Sequence, residues 1–188
     1  MPIETPTKIG IISNALVLLG EKPLTSLTED RYGATVGNAL FELLYETELQ
    51  SNSWRFNTKK AALSQLVSVP VNQFTYAYQI PADCLLPRHV YPATRYEIFG
   101  DHLYTDDTSV DLDYQFKPDV SDLPAYFALL LTYALARDMA GPVTESEAKV
   151  KEYMSKYNIQ RDRAMYADAQ ARPATSVQSS PFTDVRGA

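Results

Sequence analysis

The apolar positions of this chain follow two different rhythms, and the switch between them lays out the molecule. From Thr7 to Leu19, Ile9, Ile12, Leu16 and Leu19 recur on one helical face, and Gly20 stops the run. A loop, EKPLTSL, follows; Ser26 then stands three residues before Glu29, the capping-box spacing, which predicts the start of a long helix. That helix is expected to run through RYGATVGNALFELLYETELQ, with Val36, Leu40, Leu43, Leu44 and Thr47 on its inner side. Gly33 and Gly37 each cost it about 1 kcal/mol relative to alanine, and their four-residue spacing predicts a close helix–helix crossing.

After Asn57 the period drops to two. FTYAYQI (74–80) sets Phe74, Tyr76, Tyr78 and Ile80 against Thr75, Ala77 and Gln79. VDLDYQF (110–116) sets Val110, Leu112, Tyr114 and Phe116 against Asp111, Asp113 and Gln115. Such alternation predicts antiparallel strands with one covered face. YEIFGDHLYTDD reads as a hairpin turning at Gly100–Asp101, and prolines 70, 81, 87 and 92 are expected to break the region into short strands. Helical periodicity returns at Ser121. SDLPAYFALLLTYALARDMAG is apolar on nearly all sides, which predicts a central buried helix ended by Gly141–Pro142. Thr144 with Glu147 gives a second capping box before an amphipathic helix carrying Val150, Tyr153, Met154, Tyr157 and Ala164. From about Ala171 a polar Pro/Ser tail begins, too polar to bury its own backbone.

The expected fold is therefore α+β: an antiparallel bundle of about four helices with a small antiparallel β-domain inserted, and an extended C-terminal arm. The units are a helical pair at 1–58, the β insertion at 59–120, a second helical pair at 121–170 and a flexible arm at 171–188.

Charge follows this plan. The net charge is −6, and residues 64–120 hold three basic and eight acidic side chains, so most of the excess lies in the insertion. An acidic chain does not attract nucleic acid in bulk. One cysteine, Cys84, excludes an internal disulfide and disfavours a cysteine zinc site, as in a reducing compartment. No apolar run reaches the roughly 20 residues of a membrane span, and MPIETPTK lacks signal-peptide order, so the chain reads as cytosolic.

Candidate chemistry is sparse. His89 and His102 lie apart, without the helical spacing of a metal pair, and Cys84 stands beside Leu85 and Leu86 without a CxxC partner. Asp106, Asp107, Asp111 and Asp113 are the best metal candidates, but the EF-hand glycine and glutamate are missing and a solvated strand face explains them. No phosphate-loop, dinucleotide or GxSxG motif occurs. The expectation is no enzyme, no cofactor and no metal. WRFNTKK remains. Trp54 and Phe56 with Arg55, Lys59 and Lys60 could stack on bases and meet phosphates. Equally, Trp54, Phe56 and Asn57 could form a joint, Trp54 closing the helix end and Asn57 turning the chain by bonding its own backbone. The joint is the favoured reading, and a nucleic-acid-binding module using Trp54–Lys60 is the alternative.

Three stretches carry a resemblance. SNALVLLGEKPLTSLTED (13–30), the Trp54-x-Phe56-Asn57 motif after the second helix, and YQFKPDVSDLPAYFALLLTYALARDMA together resemble the tail tubular protein A family. These are the head-to-tail adaptors, or gatekeepers, of short-tailed bacteriophages. The match spans about three quarters of the chain in the same order and is poorest in the β insertion and the last residues. It implies packed helices with an inserted β-domain, and a virion protein assembled in the host cytoplasm. It implies a ring, commonly of twelve copies in that family, between portal protein and tail nozzle. Double-stranded DNA would pass through the lumen without specific binding, and tail fibres are a further partner to consider. No catalytic residue carries over. In the arm, Pro181, Phe182, Val185 and Arg186 would seat on a partner, with Phe182 as anchor.

Overall fold

A computed structural model describes residues 5–67, 70, 73–92 and 95–171. Among these residues, four α-helices and two antiparallel sheets make an α+β fold. Helix α1 (Lys8–Leu18) is capped by the Thr7 hydroxyl, which accepts from the Gly10 amide at 3.1 Å. It closes in a Schellman turn. Gly20, at φ +91°, lets the Glu21 amide reach the Leu16 carbonyl (2.9 Å) and its own amide reach that of Val17 (3.0 Å).

Helix α2 (Tyr32–Gln50) begins later than the capping-box spacing predicts, and its N-cap, Arg31, makes no side-chain cap bond. The Glu29 carboxylate does accept from the Ser26 amide, but also from the amide and hydroxyl of Thr25, while the Ser26 hydroxyl takes the Thr28 amide. The motif closes a turn in the loop and starts no helix. The inner face of α2 also differs from expectation. Ala34, Gly37, Phe41, Leu44, Tyr45, Glu48 and Leu49 are buried, whereas Leu43 and Thr47 point outward. The glycine spacing does mark a close approach to α1: a Cβ on Gly33 would lie 2.6 Å from Leu16 Cδ2, and one on Gly37 2.5 Å from Ile12 Cγ2.

Helix α3 (Ala125–Thr144) continues through Gly141–Pro142 instead of ending there. Proline removes one amide donor near the last turn. That turn is held by the Thr144 hydroxyl on the Ala140 carbonyl (2.6 Å) and by the Glu145 amide on Gly141 (2.9 Å), with Glu145 left-handed at φ 50°. Thr144 is thus spent inside α3. Ser146, not Thr144, caps helix α4 (Glu147–Gln170) by accepting from the Lys149 amide. Tyr153, Tyr157, Gln160, Ala164 and Asp168 line the inner face of α4, and Met154, expected there, is exposed. The helices share one core, with α3 at its centre packed by the other three.

The strands are β1 (Thr58–Ala62), β2 (Ser64–Gln65), β3 (Tyr76–Gln79), β4 (Cys84–Tyr91), β5 (Tyr96–Phe99), β6 (His102–Thr105) and β7 (Asp111–Phe116). They form sheets of order β1-β7-β4 and β2-β3-β6-β5, all neighbours antiparallel. The β5–β6 hairpin turns at Gly100, φ +61°, as the sequence indicates. Pro87 does not break its strand. It lies within β4, on a sheet edge and between two register slips, where a missing amide is tolerated. Tyr78, Leu103, Leu112 and Tyr114 anchor a second, smaller core. β7 is central in its sheet and covered on both faces near its end, so Asp113 and Gln115 are buried where alternation placed them on an open face.

Candidate functional site

Helix α2 ends where the two cores meet. The Glu48 carbonyl accepts the Trp54 indole Nε1–H (2.8 Å) and the Ser51 hydroxyl (2.9 Å), folding the chain back over the helix end. Trp54 is fully buried and stands edge-on to Phe127 of α3, centroids 5.2 Å apart. Phe56 packs on Phe127 (4.8 Å) and Tyr126 (6.3 Å). Asn57 is fully buried, and its carbonyl accepts the Phe116 amide (2.9 Å), linking the start of β1 to the end of β7. The sequence reading has its side chain bonding its own backbone, and the structure does not show that bond. Asn57 Oδ1 instead accepts from Gln115 Nε2 at 3.1 Å.

Gln115 ties this joint together. Its amide nitrogen is shared among the carbonyls of Leu49 (3.1 Å) and Asn52 (2.7 Å) and the Asn57 side chain. Its Oε1 accepts from the Arg88 guanidinium of β4, which also reaches the Asn52 carbonyl. Asp168, buried in the last turn of α4, closes the other side: both carboxylate oxygens lie 3.2 Å from the Arg55 amide, and one accepts the Tyr126 hydroxyl at 2.7 Å. Burial and then the bond to Asp168 push the Tyr126 hydroxyl above its ordinary range. Sequence reasoning missed Gln115, Arg88, Glu48 and Asp168. Two of these had a signal. Glu48 continues the Phe41–Leu44 phase of α2, and Asp168 the Tyr157–Ala164 phase of α4.

Glu48 is an uncommon occupant of such a place. Its Oε1 accepts from the Tyr157 hydroxyl (2.8 Å), and among the described residues its Oε2 is buried without a partner, as is Asn57 Nδ2. Burial pushes its carboxyl above the usual carboxylate value, against the pull of the Tyr157 bond and of Arg137 and Arg161. Tyr157 is pushed up to about 12 by burial and by Glu48, with the Arg137 guanidinium 4.2 Å above its ring.

The cationic residues of WRFNTKK do not form one patch. Lys59 and Lys60 are neighbours on a strand and face opposite ways. Lys59 pairs with Asp83 (2.7 Å) over the Phe116 ring, and Lys60 with Asp113 (3.1 Å) beside Tyr91. Arg55 and Lys60 border an open cleft of about 620 Å³, shared with Asn52, Thr58, Met165 and Asp168. In this fold the Trp54 ring is not available to a base.

Among the described residues, no group of three or more His, Cys, Asp or Glu side chains has metal-binding geometry. Asp106 instead accepts from the amide and hydroxyl of Thr75, and Asp113 holds Lys60. His89 is exposed, and His102 Nδ1 lies 2.8 Å from Asp101. The Cys84 thiol is half-buried and pushed up by burial and by Asp83. No helix among the described residues is long and apolar enough to cross a membrane. Pro181, Phe182, Val185 and Arg186 lie outside the described residues.

The chain matches no protein-family model, and no curated protein matches its sequence. The resemblance to the phage adaptors therefore rests on its three motifs.

Proposed function

We propose that this chain is a non-catalytic adaptor of a phage head–tail junction, assembling as a ring between portal and nozzle through which double-stranded DNA passes. The observation that carries this reading is spatial. Two motifs of the resemblance, separated by more than fifty residues in the chain, meet at one joint: Trp54, Phe56 and Asn57 pack on and bond to Phe127, Phe116 and Gln115. In a protein built to be a rigid spacer, such residues serve to fix the helical body against the sheet. The titratable groups of the joint are committed to structural bonds, which suits a scaffold better than acid–base work. The acidic insertion fits a lumen wall or rim that does not hold phosphate.

The nucleic-acid reading has less behind it, since Trp54 is sealed in the core and Lys59 and Lys60 are paired with carboxylates. Size-exclusion chromatography with light scattering, on this protein mixed with purified portal, tests the adaptor reading. One stable large complex is expected. Two separate peaks throughout a concentration series, with tight DNA retention in a filter titration, would replace it with the nucleic-acid module.

A further inference from the structure

Helix α2 is apolar on two opposite faces. Its inner face, Ala34 to Leu49, is buried against α1 and α3. On the opposite side, Tyr32, Ala39 and Leu43 are exposed at intervals of seven and four, the spacing of a helix–helix seam, with Val36 at its edge packed partly on the helical core. Tyr32 and Leu43 are 64% and 67% exposed. A helix with one partner presents polar residues there. This one presents a second seam.

A matching surface lies on α4. Ile159 and Tyr166, one heptad apart and 51% and 67% exposed, face away from the buried Tyr157 and Ala164. The two helices differ in charge. α2 carries Glu42, Glu46 and Glu48 and no lysine or arginine. α4 carries five lysines and arginines against four acids, one of which, Asp168, is buried. Among the described residues, Lys151 and Arg163, with one acid, Asp162, are exposed and make no ion pair, while Glu42 pairs with Lys8 and Lys117 and Glu46 with Lys117, both glutamates staying partly open to water.

We propose that the outer seam of α2 in one copy docks on the outer face of α4 in the next. The occupant is a second copy of this chain. Setting α2 against α4 brings opposite charges together, whereas α2 against α2 stacks glutamates on glutamates. The strongly acidic insertion disfavours contact through the sheets. Two different surfaces make a head-to-tail contact, the kind that propagates around a ring instead of stopping at a dimer. This inference rests on the ring reading and names the faces that build it.

Paired cysteines test it. In a Cys84→Ser background, full-length Leu43→Cys and a differently tagged full-length Tyr166→Cys are mixed, with and without portal, and oxidised mildly. Mixed disulfide dimers are expected to dominate. Leu43→Glu, at an exposed position, should raise the concentration for half-assembly by about tenfold or more with an unchanged melting curve. Predominant Leu43→Cys self-dimers would overturn the proposal in favour of a two-fold contact. Large particles by light scattering with no mixed disulfide would overturn the choice of faces and leave the ring standing. Neither particles nor disulfides, from chains that melt like the parent, would overturn both.

Discussion

Replacing Trp54 by alanine removes a fully buried ring, its bond to the Glu48 carbonyl and its edge contact with Phe127. The expected loss is about 3–5 kcal/mol, measured by urea unfolding; a loss below about 1 kcal/mol would mean the ring is not a structural plug. Glu48 makes the opposite kind of prediction. Its folded state favours the neutral carboxyl, because burial raises its pKa above the ordinary 4.5. The stability this gives is fully present below 4.5 and is lost as pH rises through the folded value. Glu48→Gln keeps an acceptor for Tyr157, whose own proton stays on until about 12. The variant should therefore match the parent at pH 4 and melt higher at pH 8, as differential scanning calorimetry over that range would show. At this scale the sequence announces the aromatic plug but not its polar braces. Trp54 stands out by size and position. Gln115 looks like an outward residue of an alternating strand, and only a second covering layer reverses that.

Elements read well where one rhythm persists and poorly where two signals compete. The order of helix pair, β region and helix pair is visible in the change of period. The inner face of α2 is not, because Leu43 and Thr47 continue one apolar stripe and Phe41 and Leu44 another, so periodicity alone cannot choose between them. Both capping boxes misplace a helix start for a related reason: the same hydroxyls and carboxylates serve loop turns and helix ends equally well. The glycine pair, in contrast, is legible and discriminating. Alanine at position 37 meets Ile12 Cγ2 at 2.5 Å, a methyl on a β-branched side chain with little freedom to turn away. Alanine at position 33 meets only the tip of Leu16. Helix propensity returns about 1 kcal/mol to each, so Gly33→Ala should be near neutral in chemical denaturation and Gly37→Ala a net loss of about 1 kcal/mol or more.

The whole molecule is two cores sharing one seam. The helical core extends from Ile11 to Ala164 and the sheet core from Tyr78 to Tyr114. Between them stands a small set of polar side chains that tie α2, α3 and α4 to β4, β7 and the start of β1. Charge is divided along the same line, acid in the insertion and near balance in the helices, a partition readable from sequence because it needs only counting. The joining of those halves needs three dimensions, since Asp168 reaches Arg55 across more than a hundred residues.

That last bond has a mechanical consequence. Asp168 grips Arg55 and Tyr126 only three residues before Ala171, beyond which the chain runs on. Any tension applied to the trailing end is delivered first to this latch, and through Arg55 to the neck of the first strand. A pull exerted at Ala171 therefore loads the seam between the two cores before it strains either one.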